Sequence, residues 1–282
     1  LDIDAVLSDK VTAKYLNLAD TAPDAPAADN VTFAYNLGTN NDKFSLDIDA
    51  SNLQASGTTT REDFVLSING GAGKDAISVD IINGGYEDGS AAWYNNSKLN
   101  ANLSIDGGAG DDTMSGGAGV DTLRGGKGDD TYRVGLTASN ALEDQVIENV
   151  NEGTDTLQLY GGNAALTTTA TLNLGLNLEN LDASGTGQTR LNLTGNALNN
   201  VLTGNAANNV LNGGLGADIL IGGAGNDTYV VDNLADMVVE QANEGTDLVQ
   251  VAIATAGGTY VLVEHLENAT LTNTVAFNLS GN

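Results

Sequence analysis

Apolar residues recur at every ninth position in two stretches of the chain, 107–133 and 195–230, and one further unit of the same kind occupies 70–78. In each nine-residue unit the first six places are mainly Gly, Asp, Asn and Ala, which favour turns, and only the last three resemble a strand. Because strand side chains alternate between faces, only the eighth side chain should point inward. The predicted core residues are Ile77, Met114, Leu123, Tyr132, Leu202, Leu211, Leu220 and Tyr229.

Strands of three residues cannot form a sheet alone, but stacked units can build two parallel sheets. Two units then make one coil, and successive coils rise by about 4.8 Å, the usual strand spacing. The pattern therefore predicts an all-β fold in which core residues stack on their equivalents from coil to coil.

Other segments alternate apolar and polar residues, which predicts further strands at FSLDIDA (44–50), FVLSING (64–70) and AISVDII (76–82). LSIDGG at 103–108 mirrors LSINGG at 66–71, so the first hundred residues should form similar coils with longer loops. APDAPAADN (22–30) holds both prolines and is interpreted as a linker or loop. ALEDQVIENV (141–150) is the nearest helix candidate, but its counterpart DMVVEQAN (236–243) is β-branched, which favours a strand in both.

A longer repeat encloses the nonapeptides, and its recurring pieces follow each array in the same order. They are DTY at 130–132 and 227–229, NEGTD at 151–155 and 243–247, LEN at 178–180 and 266–268, and LNLTGN at 191–196 with FNLSGN at 277–282. The division expected is 1–100 for irregular coils, 101–190 for a first roll with its strand extension, and 191–282 for a second. A third array begins at the last two residues, so the parent protein is expected to continue.

The charge balance is extreme, with 37 acidic and 10 basic side chains giving a net charge of −27 at pH 7. Such a field repels nucleic acid and anionic membrane surfaces and attracts cations. Because of this repulsion, no nucleic-acid partner is expected. No apolar run is long enough to span a membrane, so membrane insertion is not expected either. There is no Cys, and aromatics make up only 5% of the chain, so the core must be aliphatic.

Stacked turns would bring the Asp of one unit near the Asp of the next, together with backbone carbonyl oxygens. Such an all-oxygen cage suits Ca²⁺, which takes six to eight oxygens with tolerant geometry, better than Mg²⁺. Zinc is disfavoured because Cys is absent and His265 is the only histidine. His265 lies in a strand-like segment and is interpreted as structural. No catalytic grouping is convincing, because the position of Asp111 and Asp112 in the repeat explains that acid pair, so no enzymatic activity is expected.

The units GGAGDDTMS, GGAGVDTLR, GGKGDDTYR and GGAGNDTYV match the pattern Gly-Gly-x-Gly-x-Asp-x-apolar-x. This resembles the nonapeptide of the RTX (repeats-in-toxin) haemolysin-type calcium-binding proteins. The resemblance is strong over the two arrays, extends through the longer repeat over about 105–282, and is weaker over 1–100. It implies a right-handed parallel β-roll, or β-solenoid, with Ca²⁺ between successive turns on each side.

Carried over place by place, the resemblance assigns the sixth-place acids as side-chain ligands and carbonyls at the glycines as the rest of each shell. The acids are Asp75, Asp112, Asp121, Asp130, Asp218 and Asp227. The glycines are Gly71, Gly73, Gly108, Gly110, Gly117, Gly119, Gly126, Gly128, Gly214, Gly216, Gly223 and Gly225. Sites shared between neighbouring turns would give about four to eight ions.

The second array departs from this pattern at 195–212, where the sixth place is Asn200 and Asn209 and the second is Asn196 and Asn205. Neutral amides are poorer Ca²⁺ ligands but can form hydrogen-bonded ladders. These two units are therefore expected to be held largely by Asn ladders and to bind less calcium or none.

Together these features predict a chain that folds when Ca²⁺ binds, because without the ion its carboxylates repel one another. Proteins that resemble it leave bacteria unfolded through type I secretion, directed by a signal at the extreme C-terminus, which is not found in this sequence. The expected role is a secreted, extracellular structural component of the cell surface, such as an S-layer subunit, an adhesin or a filament, that self-associates. The alternatives are a non-catalytic module of a secreted enzyme or toxin (protease, lipase, epimerase or pore-former) and a free calcium-binding module.

Overall fold

The computed structural model describes residues 11–17, 31–49, 62–82, 99–117, 119–272 and 275–282. These residues contain 23 strands and no helix. The chain divides into an N-terminal unit, formed by 1–133 and 143–147, and a C-terminal unit, formed by 134–142 and 148–282. Each unit is a parallel β-solenoid, which confirms the predicted all-β fold class.

Strands on alternate sides of the N-terminal unit form two parallel sheets. One sheet contains, in this order, β1 (Val11–Asn17), β3 (Lys43–Asp49), β5 (Ala76–Ile82), β7 (Thr113–Ser115) and β9 (Thr131–Leu136). The other has the order β10 (Gln145–Ile147), β8 (Thr122–Lys127), β6 (Leu99–Ala109), β4 (Glu62–Asn69) and β2 (Val31–Asn36). Odd and even strands separate because the chain crosses from one sheet to the other at every turn.

The C-terminal unit has the same organisation. The strands on one side are, in sheet order, β11 (Thr156–Gly161), β13 (Asn180–Gly185), β15 (Val201–Thr203), β17 (Ile219–Ile221) and β19 (Met237–Val239). Those on the other side are β12 (Ala170–Asn173), β14 (Leu191–Thr194), β16 (Val210–Asn212), β18 (Thr228–Val231), β20 (Leu248–Val251) and β22 (Asn268–Leu271). Strands β21 (Thr259–Val261) and β23 (Asn278–Ser280) pair separately.

The core consists of columns of eighth-place side chains that stack from coil to coil. In the C-terminal unit the parallel register aligns Leu181, Leu202, Leu220 and Val238 in one sheet. In the other it aligns Leu193, Leu211, Tyr229 and Val249. In the N-terminal unit Phe44, Ile77, Met114 and Tyr132 form an equivalent column. All eight core residues predicted from the nine-residue period are buried, with at most 2% of their surface exposed.

The predicted strands at 44–50, 64–70 and 76–82 are confirmed as β3, β4 and β5. The two segments that resembled a helix each contain a strand, β10 and β19, as predicted. The LSINGG and LSIDGG segments pair in register, Leu66 opposite Leu103. Equivalent residues of the first coils lie 33 and 37 positions apart, Phe44 to Ile77 and Ile77 to Met114, against 18 in the arrays, so the early coils do carry longer loops.

Three expectations are not confirmed. The proline-containing segment 22–30 lies outside the described residues, and the three-part division at 100 and 190 stays a prediction. The expectation that His265 lies in a strand is wrong: it occupies an exposed turn between β21 and β22, with φ of 71°. Side chains rarely adopt this conformation, and the turn geometry of the coil imposes it here.

Candidate metal centres

Sixth-place carboxylates form a vertical ladder along the flank of the N-terminal unit. The Oδ1 atom of Asp75 accepts a hydrogen bond from the backbone N–H of Asp42 at 2.7 Å. The Asp75 N–H donates to Asp112 Oδ1, also at 2.7 Å, and the Asp112 N–H donates to Asp130 Oδ1 at the same distance. Each sixth-place side chain thus ties its turn to the preceding one, and the predicted ligands Asp75, Asp112 and Asp130 share one column.

Asp121 belongs to the opposite flank, where its Oδ1 accepts from the Leu103 N–H at 3.1 Å. Its own N–H donates to Asp144 Oδ1 at 3.1 Å. Alternation between flanks follows from the nine-residue unit, which is half a coil. The structure therefore brings together the predicted acids in the alternate pattern expected for two columns per unit.

The C-terminal unit repeats the ladder on both flanks. On one flank the Asn200 N–H donates to Asp218 Oδ1 at 2.8 Å, and the Asp218 N–H donates to Asp236 Oδ1 at 3.1 Å. On the other the Asn209 N–H donates to Asp227 Oδ1 at 2.7 Å, and the Asp227 N–H donates to Asp247 Oδ1 at 2.7 Å.

The second oxygen of these carboxylates has a different environment. It is buried and lacks a hydrogen-bond partner among the described residues in Asp42, Asp75, Asp112, Asp121, Asp144, Asp218 and Asp227. A buried carboxylate oxygen without a partner costs free energy, and a bound cation removes that cost. A column of such unpaired oxygens therefore fits a bound cation.

Burial also raises the pKa of six of these carboxyls from their ordinary value of 3.8: Asp75, Asp112, Asp121, Asp144, Asp218 and Asp227. Desolvation is the largest cause for each, and neighbouring acids add to it. The pKa rises to about 6 for Asp112 and Asp218, to about 7 for Asp144 and Asp227, and to about 8 for Asp121. At neutral pH these groups therefore need either a proton or a cation, because their ionised form is poorly solvated.

The first glycine of each unit makes room for the sixth-place side chain. A Cβ on Gly107 would lie 2.5 Å from Asp112 Oδ2, and the corresponding glycines face Asp75, Asp121, Asp218 and Asp227 in the same way. These first-place glycines do not have positive φ, so what they provide is space.

The glycines at the second and fourth places have positive φ. Gly108 and Gly110 have φ of 103° and 129°, and the same pattern holds at all twelve predicted carbonyl positions. A Cβ on Gly108 would strike the Gly71 carbonyl of the coil above it. The Gly71 carbonyl accepts from the Ala109 N–H at 2.9 Å, which leaves its second lone pair for another partner. The assignment of these glycine carbonyls as metal ligands stays a prediction.

The Asn-bearing units satisfy the same space with their own amide groups. Asn200 Nδ2 donates to the carbonyls of Leu178 and Glu179 at 3.2 and 3.1 Å and to Asn196 Oδ1 at 3.2 Å. Asn209 Nδ2 donates to the Leu191 carbonyl at 2.7 Å and to Asn205 Oδ1 at 3.2 Å. The Asn NH₂ group thus donates to oxygens whose counterparts in the Asp-bearing units lie beside an unpaired carboxylate oxygen. The Asn bonds run to backbone groups and within a turn, so the expected amide-to-amide ladder between coils takes a different form.

The structure also assigns sixth-place positions that the nonapeptide pattern missed. Asp42, Asp144, Asp236 and Asp247 occupy rungs of the ladders although no Gly-Gly pair precedes them. Glu179 and Glu267 do the same one rung further, accepting from the Asp155 and Asp247 N–H groups at 2.8 Å. The recurring NEGTD and LEN pieces carry Asp247, Glu179 and Glu267, so the longer repeat was the signal available for these three.

Asn243 explains how NEGTD makes such a turn. It lies four residues before Asp247, as the second glycine lies four before the sixth-place acid, and its φ is 69°. Asn tolerates this left-handed conformation better than other side chains do. His265 lies two residues before Glu267, at the position where the nonapeptides have the glycine of their fourth place. This position accounts for its positive φ.

These flanks can therefore bind hard cations. They offer carboxylate and carbonyl oxygens in a repeated arrangement, a high negative charge and partial burial, which together suit Ca²⁺. Asp111 and Asp112 do not act as a pair, because Asp112 points inward while the Asp111 side chain is half exposed and lies 3.5 Å from Lys74 Nζ.

A model of the family described as RTX calcium-binding nonapeptide repeat (4 copies) matches residues 104–135 and 194–229. None of the curated proteins compared with the chain matches it. The resemblance seen in the sequence is thereby confirmed for the two arrays: the chain carries calcium-binding nonapeptide repeats, and Ca²⁺ is the expected ion. The unit at 70–78 lies outside the matched segments, although Asp75 occupies the same ladder. In the described part of the chain no helix is long and apolar enough to cross a membrane.

Proposed function

We propose that this chain is the calcium-binding β-roll region of a secreted bacterial structural surface protein, which folds and assembles when it meets extracellular Ca²⁺. The observation that carries the proposal is a set of buried sixth-place carboxylates, each with one oxygen held by a backbone N–H and the other without a partner among the described residues: Asp75, Asp112, Asp121, Asp218 and Asp227. Groups so placed make the folded state depend on a cation.

The chain's own residues supply the switch. In the unfolded chain the acidic side chains are solvated and apart, and a net charge of −27 opposes compaction. Folding moves Asp112, Asp121 and their equivalents into buried columns, where each would remain ionised only beside a cation. Extracellular calcium modules bind at roughly 10⁻⁴ to 10⁻³ M, so such a chain would stay unfolded before export and fold outside.

Composition and surface support a structural role. RTX repeats are typical of secreted proteins, and this chain is rich in Thr, Asn and Gly and poor in Lys. The C-terminal unit exposes more than half of the surface of Leu215, Leu234 and Met237. Apolar side chains held outward on a rigid roll can be covered by a second copy or by another surface component. We therefore infer self-association at the cell surface.

The second candidate is a non-catalytic module of a type I-secreted enzyme or toxin. The observation that favours it is that the family match consists of the repeats themselves, which carry no chemistry beyond the ion. Under both candidates this region has no enzymatic activity of its own, which stays a prediction.

Analytical ultracentrifugation and electron microscopy of the 282-residue chain, with millimolar Ca²⁺ and with chelator, separate the candidates. Ordered sheets, fibres or large species that appear only with Ca²⁺ would support the structural role. A folded species that stays monomeric at every protein concentration in Ca²⁺ would contradict assembly and favour the module.

A further inference from the structure

A buried carboxylate outside the nonapeptides lies close to the end of the second array. Glu240 follows β19 and is 9% exposed. Its Oε1 atom accepts a hydrogen bond from the Tyr229 hydroxyl, and its Oε2 atom is buried with no partner in the described segments. An ionised carboxylate in this position is costly unless a positive charge stands beside it.

Two further carboxylates meet Glu240 in the same small space. One oxygen each of Asp227, Glu240 and Asp247 lie within 4.8 Å of one another. Asp227 and Asp247 are each 1% exposed, and the Oδ2 atom of Asp227 is also unpaired. Three ionised groups at this separation repel strongly in a partly dehydrated space.

The ladder and the tyrosine hold the three groups in position. Asp247 Oδ1 is fixed by the Asp227 N–H at 2.7 Å, and the Asp247 N–H is fixed in turn by Glu267 Oε2 at 2.8 Å. Gly222 lies over the same space, because a Cβ on it would strike both the Tyr229 hydroxyl and Asp227 Oδ2. Tyr229 is fully buried, so its hydroxyl has a fixed direction toward Glu240.

We propose that Asp227, Glu240 and Asp247 form a cation site of a second kind, which binds one hard divalent ion, Ca²⁺, through three carboxylates. The inference rests on the proposed calcium-dependent function and adds a site to it. Tyr229 is a positioning residue: by donating to Oε1 it leaves Glu240 Oε2 for the ion. The site differs from those predicted for the nonapeptides, because Glu240 comes from outside the turns and no glycine carbonyl is required.

The three-carboxylate site would close the second array. The eighth place of the unit at 222–230 is Tyr229, where the three preceding units have Leu202, Leu211 and Leu220. A hydroxyl at that place can reach a group near the turn, whereas leucine cannot. With a formal charge of −3 the site should hold its ion more tightly than sites that share one carboxylate per turn.

Glu240→Gln in the 282-residue chain tests the proposal, and Glu264→Gln is the matched control, since it removes the same charge from an exposed position. Calcium binding is measured by isothermal titration calorimetry and by native mass spectrometry. We expect Glu240→Gln to bind one Ca²⁺ fewer than the wild type and Glu264→Gln to bind the wild-type number. An unchanged number and affinity in Glu240→Gln would overturn the proposal.

Tyr229→Phe gives a second test that does not depend on removing a ligand. With Tb³⁺ as the probe, excitation through tyrosine should be efficient for an ion beside Tyr229, so Tyr229→Phe should lose part of the Tb³⁺ emission and Tyr260→Phe should keep it. The Ca²⁺ affinity of this site should fall about 10- to 100-fold in Tyr229→Phe, as expected when a positioning hydrogen bond is lost. Unchanged emission and affinity in Tyr229→Phe would contradict the site.

The two proposals can fail separately. If the wild type binds no Ca²⁺ and is folded in chelator, the proposed function is wrong. If the wild type binds Ca²⁺ and both Glu240→Gln and Tyr229→Phe behave as the wild type does, only the three-carboxylate site is wrong.

Discussion

The sixth place of the nonapeptide decides whether a turn depends on a cation. With Asp the turn has one satisfied and one unpaired buried oxygen, as in Asp218. With Asn the NH₂ group donates to oxygens of the neighbouring coil, as in Asn200. Replacing one carboxylate oxygen by an NH₂ group therefore replaces the need for a bound cation by a hydrogen bond within the protein.

Asn200→Asp tests this rule, and Asn199→Asp is its control because it adds the same charge at an exposed neighbouring position. Asn200→Asp places an unpaired carboxylate in a buried turn, which should destabilise the calcium-free state by roughly 1–3 kcal/mol. We expect more free Ca²⁺ to be needed at the folding midpoint, and an additional bound ion, by circular dichroism and calorimetry. Equal midpoints for the two variants would contradict the rule.

At the scale of elements, the sequence predicted the nine-residue period better than the full set of acids in the candidate metal centres. The eighth-place core and the sixth-place acids follow from one repeat, and burial of Leu220 and Asp218 agrees with it. The longer turns were missed because Asp236 and Asp247 lack the Gly-Gly pair that marks the others. In place of the Gly-Gly pair, their turns use Asn243 or side-chain hydrogen bonds, such as those from the N–H groups of Asp232 and Asn233 to Asp236.

Contacts between distant segments could not be predicted either. Asp247 joins Asp227 only because β18 and β20 pair in parallel and bring residues 20 apart in sequence to adjacent rungs. The register of such pairs depends on loop lengths between strands, and no local pattern fixes these. A Glu lies seven residues before the final Asp of each NEGTD segment. This spacing is visible in the sequence, but without the fold it does not predict a contact.

Strands that follow Asn turns should outlast those that follow Asp turns when calcium is lowered. The Val201 N–H donates to Glu179 O beside Asn200, whereas the Met237 and Leu248 N–H groups donate to the carbonyls of Asp218 and Asp227. We expect hydrogen exchange, followed while free Ca²⁺ is reduced stepwise, to show loss of protection in β19 and β20 before β15 and β16. Simultaneous loss in all four strands at every step would contradict this order.

At the scale of the whole molecule, the raised pKa values make the calcium-free chain sensitive to pH. A carboxyl whose folded pKa is about 6 to 8, against 3.8 in the unfolded chain, binds more protons when folded between those values. The free energy of unfolding therefore rises as pH falls from about 8 toward 4, because protons replace the missing charge.

Metal-depleted protein in chelator-free buffer provides the measurement. We expect its β-signal and its urea midpoint to rise between pH 8 and pH 5, while Ca²⁺ affinity falls over the same range because protons compete for the same oxygens. Stability of the metal-depleted chain that is flat or declines toward pH 5 would contradict the assignment of Asp112, Asp121 and Asp227 as buried, uncompensated carboxyls.

The central claim is that Ca²⁺ completes the fold, and far-ultraviolet circular dichroism of the wild-type chain at pH 7.5 tests it most directly. With millimolar Ca²⁺ the spectrum should be that of a β-protein; in excess chelator that signal should be largely lost, and it should return when Ca²⁺ is restored but not when the same ionic strength is supplied as sodium chloride. A full β-spectrum in excess chelator would contradict the account.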